Sequence, residues 1–81
     1  MSDAAAAPVE AVDQALVGAN VRAAREEKGW TRHDLSTRSG VRENTIYRIE
    51  AGQVMPSLDS IDRIGKALDK TVDQLTTKAA S

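Results

Sequence analysis

Cysteine is absent from this 81-residue chain, so neither a disulfide nor a thiolate metal site is available, and a reducing cytoplasm is the expected setting. Phenylalanine is absent too, and Trp30 and Tyr47 are the only aromatic residues. A core must therefore be built from Val, Ile, Leu and Ala, which favours helices over a sheet. No apolar run approaches the ~18–20 residues of a membrane span. The N-terminus shows no basic, apolar secretion signal, so no membrane association is expected. The single histidine, His33, has no second ligand or nucleophile beside it, and a surface position is expected rather than a catalytic or metal role. With no glycine-rich phosphate loop either, the chain is not expected to be an enzyme or to carry a cofactor.

A strong excess of positive charge is also missing, since the formal net charge is −1. Its distribution is uneven. Residues 1–19 carry three acids and no base, residues 20–55 carry seven bases against five acids, and residues 56–81 carry four of each. The acidity belongs to the tail and the middle is mildly basic, and the local field at a docking surface matters more than the total.

What is present is helical periodicity. The length allows one domain, near the low end for a self-sufficient core. Residues 1–12 read as a flexible, alanine-rich acidic tail with room for some helix from Pro8, where Val9, Val12 and Leu16 follow at helical spacing. The domain proper is expected over residues 13–76, and residues 77–81 should fray. A first helix over residues 13–28 would bury Val17, Val21 and Ala24 and end at Gly29, with Trp30 folding back over the core as its largest apolar contribution. Thr31 is a credible N-cap for a second helix, with Asp34 in the first turn. Ser57 would cap a fourth helix with Leu58, Ile61, Ile64, Ala67 and Leu68 as its core stripe. Thr71 and Gln74 form a capping box for a short fifth helix that buries Val72 and Leu75.

The chain is organised around residues 32–51, RHDLSTRSGVRENTIYRIEA. This stretch reads as two short amphipathic helices with Leu35, Val41, Ile46 and Ile49 inward. Gly40 stands at the reversal, where a residue able to take positive φ is favoured. Ser36 is small enough to let the two helices approach. Arg42 is a poor N-cap, but Val41 and Ile46 have the spacing of a hydrophobic staple. The outer face of the third helix then shows Glu43, Asn44, Tyr47 and Arg48. Asparagine can grip adenine and arginine guanine with two hydrogen bonds each, and glutamate can accept from cytosine. This is the physical description of a helix-turn-helix, with its recognition helix in the major groove.

In Arg32, Leu35, Ser36, Gly40, Ile46, Ile49, Glu50 and Gly52 the stretch resembles the Cro/cI-type repressors, also called the xenobiotic-response-element family. The resemblance extends over residues 17–75 and includes the pairing of Val17 with Gly18. Arg32 departs from it where glutamine is common, Ser36 where alanine is usual, and Arg42 where serine or threonine often caps. The resemblance implies an all-α, five-helix, lambda-repressor-like domain.

For function it implies a sequence-specific transcriptional regulator of double-stranded DNA, bacterial or phage, cytoplasmic, and acting as a repressor. It implies a structural ion pair between Arg25 and Glu50. Glu43, Asn44 and Arg48 are the expected base readers. Thr31, Arg32 and Arg42, at helix N-termini where anions are favoured, are expected to meet the DNA backbone, joined by Arg38, Tyr47 and Gln53. A homodimer is expected, formed at the end of helices four and five around residues 66–75 or through the stripe of Val9, Val12 and Leu16. Its own concentration or a regulatory protein partner would then control it. The alternative, favoured by the acidic tail, is a protein-interaction module (antitoxin or repressor antagonist) that keeps the fold.

Overall fold

The computed structural model describes residues 13–77; the expected N-terminal tail and the last residues of the expected frayed end lie outside them. Among the described residues there are five helices and no strand. They are α1 (Gln14–Glu27), α2 (Arg32–Ser39), α3 (Glu43–Glu50), α4 (Leu58–Leu68) and α5 (Val72–Thr76). None is long and apolar enough to cross a membrane.

Each boundary has a local cause. Asp13 caps α1 by accepting from the Ala15 N–H at 2.9 Å, and Gly29 leaves the helix at φ 73°. At α2 a reciprocal capping box forms. The Thr31 hydroxyl accepts from the Asp34 N–H at 3.0 Å, and the Asp34 carboxylate accepts from the Thr31 N–H at 2.9 Å. Those bonds from Thr31 hold the Asp34 carboxyl below the usual carboxylate range. Gly40 ends α2 in the left-handed conformation at φ 77°, donating to Ser36 O at 2.9 Å. Arg42 starts α3 with no side-chain cap. The buried Ser39 hydroxyl steadies the turn by accepting from the Val41 N–H at 3.1 Å, while Val41 and Ile46 are both buried. Ser57 caps α4, and Thr71 with Gln74 makes the second capping box, at α5.

The core is formed by Val17, Val21 and Ala24 of α1, Leu35 of α2, Val41 of the turn, Ile46 and Ile49 of α3, Ile61, Ile64 and Leu68 of α4, and Leu75 of α5. Asn20 ties α5 to α1, its amide donating to the carbonyls of Leu75 and Thr77 at 2.9 and 3.0 Å. Two expectations about the core need correction. Leu58 is 79% exposed rather than part of the stripe. It is the first helical residue after the Ser57 cap, where α4 has not yet reached the core. Trp30 is only half-buried. Its ring packs on the core but lies between cations, with the Arg38 guanidinium 4.4 Å and the Lys28 ammonium 5.4 Å from its centre. Isoleucine and leucine side chains supply the largest fully buried volumes instead. Val72 and Ala67 are partly buried against the core, and Leu16 is half-buried.

Gly18 has a reason that helix propensity alone conceals. A methyl group there would overlap the backbone carbonyl oxygen of Ile49, so its absence lets α1 lie directly against the end of α3. Gly18→Ala should therefore lower the urea midpoint, by overpacking of ~1–3 kcal/mol. That outweighs the ~1 kcal/mol that alanine gains over glycine in a helix. An unchanged or raised midpoint would show that the two helices can separate without penalty.

Candidate nucleic-acid interface

The end of α3 is fixed by one carboxylate. Glu50 is the last residue of α3, and its side chain is only 1% exposed. An isolated buried carboxylate is costly and must be matched by donors. Arg25 of α1 supplies a fork, with Nε donating to Oε2 at 2.7 Å and Nη2 to Oε1 at 2.9 Å. Arg25 also donates from Nη1 to the Trp30 carbonyl at 2.7 Å. The hydrogen bond to Glu50, offset in part by burial, raises the Arg25 guanidinium pKa. A second arginine joins from α2, because Arg32 Nε donates to Glu50 Oε1 at 3.0 Å. Three helices thus converge on one carboxylate.

With its inner face set by Ile46, Ile49 and Glu50, α3 turns Glu43, Asn44, Tyr47 and Arg48 outward, and all four are exposed. Positions i and i+4 share a face of a helix, so Asn44 and Arg48 stand one above the other. Among the described residues, neither makes a side-chain hydrogen bond or ion pair, and the same holds for Arg42. Glu43 is tethered, with its Oε1 3.3 Å from His33 Nδ1 of α2, and both side chains are well exposed.

The residues expected at the DNA backbone divide into two groups. Thr31, Arg42 and Gln53 are exposed along the turn-bearing edge and the loop after α3, although the Thr31 hydroxyl already caps α2. Arg32, Arg38 and Tyr47 are engaged within the protein. Arg32 is held by Glu50, and its guanidinium lies 5.2 Å from the centre of the Tyr47 ring. Arg38 is stacked on Trp30. The third member of the ion-pair cluster is the feature that sequence reasoning missed. A signal existed, since arginine replaces the family's common glutamine at residue 32 and a buried glutamate has more acceptor capacity than one arginine fills.

Removing one partner of a buried pair costs ~3–5 kcal/mol when the remaining charge is left uncompensated. Arg25→Ala should fall near the lower end of that range, because Arg32 still reaches Glu50. Arg32→Ala should cost less, since the two-pronged contact of Arg25 survives. Thermal or urea unfolding of the two variants checks the order, and a larger loss for Arg32→Ala would place the main anchor on α2 instead.

A family model described as helix-turn-helix matches residues 21–75. The chain is 41% identical over 49 residues to an uncharacterized HTH-type transcriptional regulator, y4dL, of Sinorhizobium fredii (strain NBRC 101917 / NGR234). That match covers 60% of this chain and 25% of the relative, so the chain spans about a quarter of the relative's length. Among solved structures, the restriction-modification controller protein C.AhdI from Aeromonas hydrophila superposes with a TM-score of 0.75 at 29% identity, covering 80% of this chain and 98% of that one. A hypothetical transcription factor, NHTF, from Neisseria has a TM-score of 0.77 at 24% identity, covering 82% of this chain and 76% of that one, and shares the fold. With a matching family model over most of the chain and the five-helix arrangement beneath it, the chain belongs to the helix-turn-helix family of Cro/cI type.

Proposed function

We propose that this chain is a sequence-specific regulator of transcription that reads double-stranded DNA with α3 in the major groove and acts as a repressor. The observation that carries the reading is the contrast between the two faces of α3. The inner face is locked by the core and by Glu50, while Asn44 and Arg48 stand outward with their side-chain hydrogen-bonding groups unspent among the described residues. Arg48 suits guanine and Asn44 adenine in the major groove. Glu43 suits a cytosine amino group, and His33 beside it offsets its charge near phosphates when protonated. Arg42 and the backbone N–H groups at the start of α3 face the phosphates and set the register, with Thr31 and Gln53 on the flanks. The names of the S. fredii regulator and the A. hydrophila controller agree with a regulatory role.

Two copies are needed, because three base-reading side chains are few against a genome of competing sites. The self-contact belongs to the apolar surface of Met55, Pro56, Leu58, Ile61, Val72 and Thr76. There Leu58 is exposed and lines a groove with the other five, an apolar patch of the kind that a two-fold contact would set against its own copy. The region first expected to pair, residues 66–75, offers less. Leu68 and Leu75 are buried within the subunit, and Lys66 and Lys70 lie by Asp62 and Glu27.

Selection of bound sequences from a random DNA pool should return two-fold half-sites with centres ~34 Å or about 10–10.5 base pairs apart. On such a site Arg48→Ala should lose ~1–3 kcal/mol and relax preference at one base pair. Arg42→Ala should weaken all sequences alike and reduce the log–log salt slope by about one phosphate's worth, ~0.9. Binding that is flat in salt and indifferent to both changes would remove the DNA reading. Leu58→Glu should leave folding intact yet convert a two-subunit complex into single-subunit occupancy in sedimentation, and retention of the pair would move the interface elsewhere.

A further inference from the structure

Between α2 and α3 lies a shallow concavity lined by Arg32, Glu43, Asn44 and Tyr47. It shares the exposed face of α3 with Arg48. Carbon atoms make up more of its lining than polar atoms do, and the Tyr47 ring contributes its apolar surface. That ring is 47% exposed, yet it is held in place. The Arg32 guanidinium lies over it at 5.2 Å. Arg32 in turn is anchored by its Nε to Glu50, whose carboxylate Arg25 grips with two bonds. The ring is thereby connected to the buried ion-pair cluster at Glu50 through one side chain.

The lining decides what fits. A phosphate would meet the Glu43 carboxylate and find the Nε of Arg32 already engaged. A small apolar group meets neither obstacle. In the major groove the base that presents such a group is thymine, through its C5-methyl. We propose that this concavity receives the C5-methyl of one thymine in each half-site, and that Arg32 is the positioning residue that holds Tyr47 to form it. The proposal rests on α3 being the groove-reading helix.

The test uses the full chain and a duplex carrying the selected site. Each thymine in turn is replaced by deoxyuridine, which removes the methyl group and leaves the pairing and other groove groups intact. One position per half-site should weaken binding about fourfold, the fold-change that corresponds to burying one such group at ~0.8 kcal/mol. Tyr47→Phe should keep that sensitivity and Tyr47→Ala should abolish it. Arg32→Lys retains the charge but not the planar fork. It should diminish the methyl effect, read as the ratio of affinities for the thymine and deoxyuridine duplexes, with a melting curve confirming that the variant is folded. If no thymine methyl matters although the duplex is bound, the receptor is overturned and groove reading stands. If no sequence is selected from the pool at all, groove reading fails and takes the receptor with it. Methyl sensitivity that persists in Tyr47→Ala also overturns the receptor, and persistence in Arg32→Lys overturns the positioning role.

Discussion

The burial of the Glu50 carboxylate constrains the rest of the molecule. A charge placed in the interior demands compensation from particular directions, and here it comes from Arg25 of α1 and Arg32 of α2. Hydrophobic packing of Ile46 and Ile49 would hold α3 against the bundle over a range of rotations. The directional bonds of Glu50 select one of them. Gly18 acts on the same joint by allowing α1 to lie against the carbonyl of Ile49. The consequence is functional as much as structural, because the rotation of α3 decides which four side chains face outward.

Charge is allotted in keeping with that arrangement. Away from α3, most cations have an acid partner, in three cases one helical turn away, Arg22 with Glu26, Arg63 with Asp59 and Lys66 with Asp62, and in two others across helices, Lys28 with Asp69 and Lys70 with Glu27. Such exposed pairs stabilise the fold little, but they neutralise the surfaces that carry them. Arg42 and Arg48 have no such partner among the described residues. A chain with a net charge of −1 can therefore present a locally positive edge to a polyanion. In the proposed reading, the moderate strength of this field places the burden of discrimination on direct contacts and on pairing of subunits.

Helix periodicity and capping chemistry made most of the fold legible. The first helix was expected over residues 13–28 and occupies Gln14–Glu27 with Asp13 and Lys28 as its caps. The turn glycine at residue 40 and the Thr71–Gln74 box follow from local rules that hold in any context. The failures came where a local rule meets a three-dimensional boundary. Leu58 has the spacing of a core residue, but a stripe cannot show that its first member lies beyond the end of the core. Size alone marks Trp30 as a core residue, whereas its stacking on Arg38 brings together side chains eight residues apart across the turn into α2, a spacing that no local pattern announces. Arg32 illustrates the same limit at the candidate interface. Its place at a helix N-terminus suggested a phosphate, whereas Glu50, distant in sequence, captures its Nε in space. The outward set of Glu43, Asn44, Tyr47 and Arg48 was readable because a single helix fixes it.

The central claim is that this fixed rotation delivers the outer face of α3 into the major groove. Methylation interference with dimethyl sulfate tests it most directly, since methyl groups added at guanine N7 project into the major groove and those at adenine N3 into the minor groove. On a selected site, guanine N7 methylation at positions about one DNA turn apart should block binding, and adenine N3 methylation within the same half-sites should be tolerated. Binding that tolerates guanine N7 methylation throughout the site, and is blocked by adenine N3 methylation instead, would contradict the account.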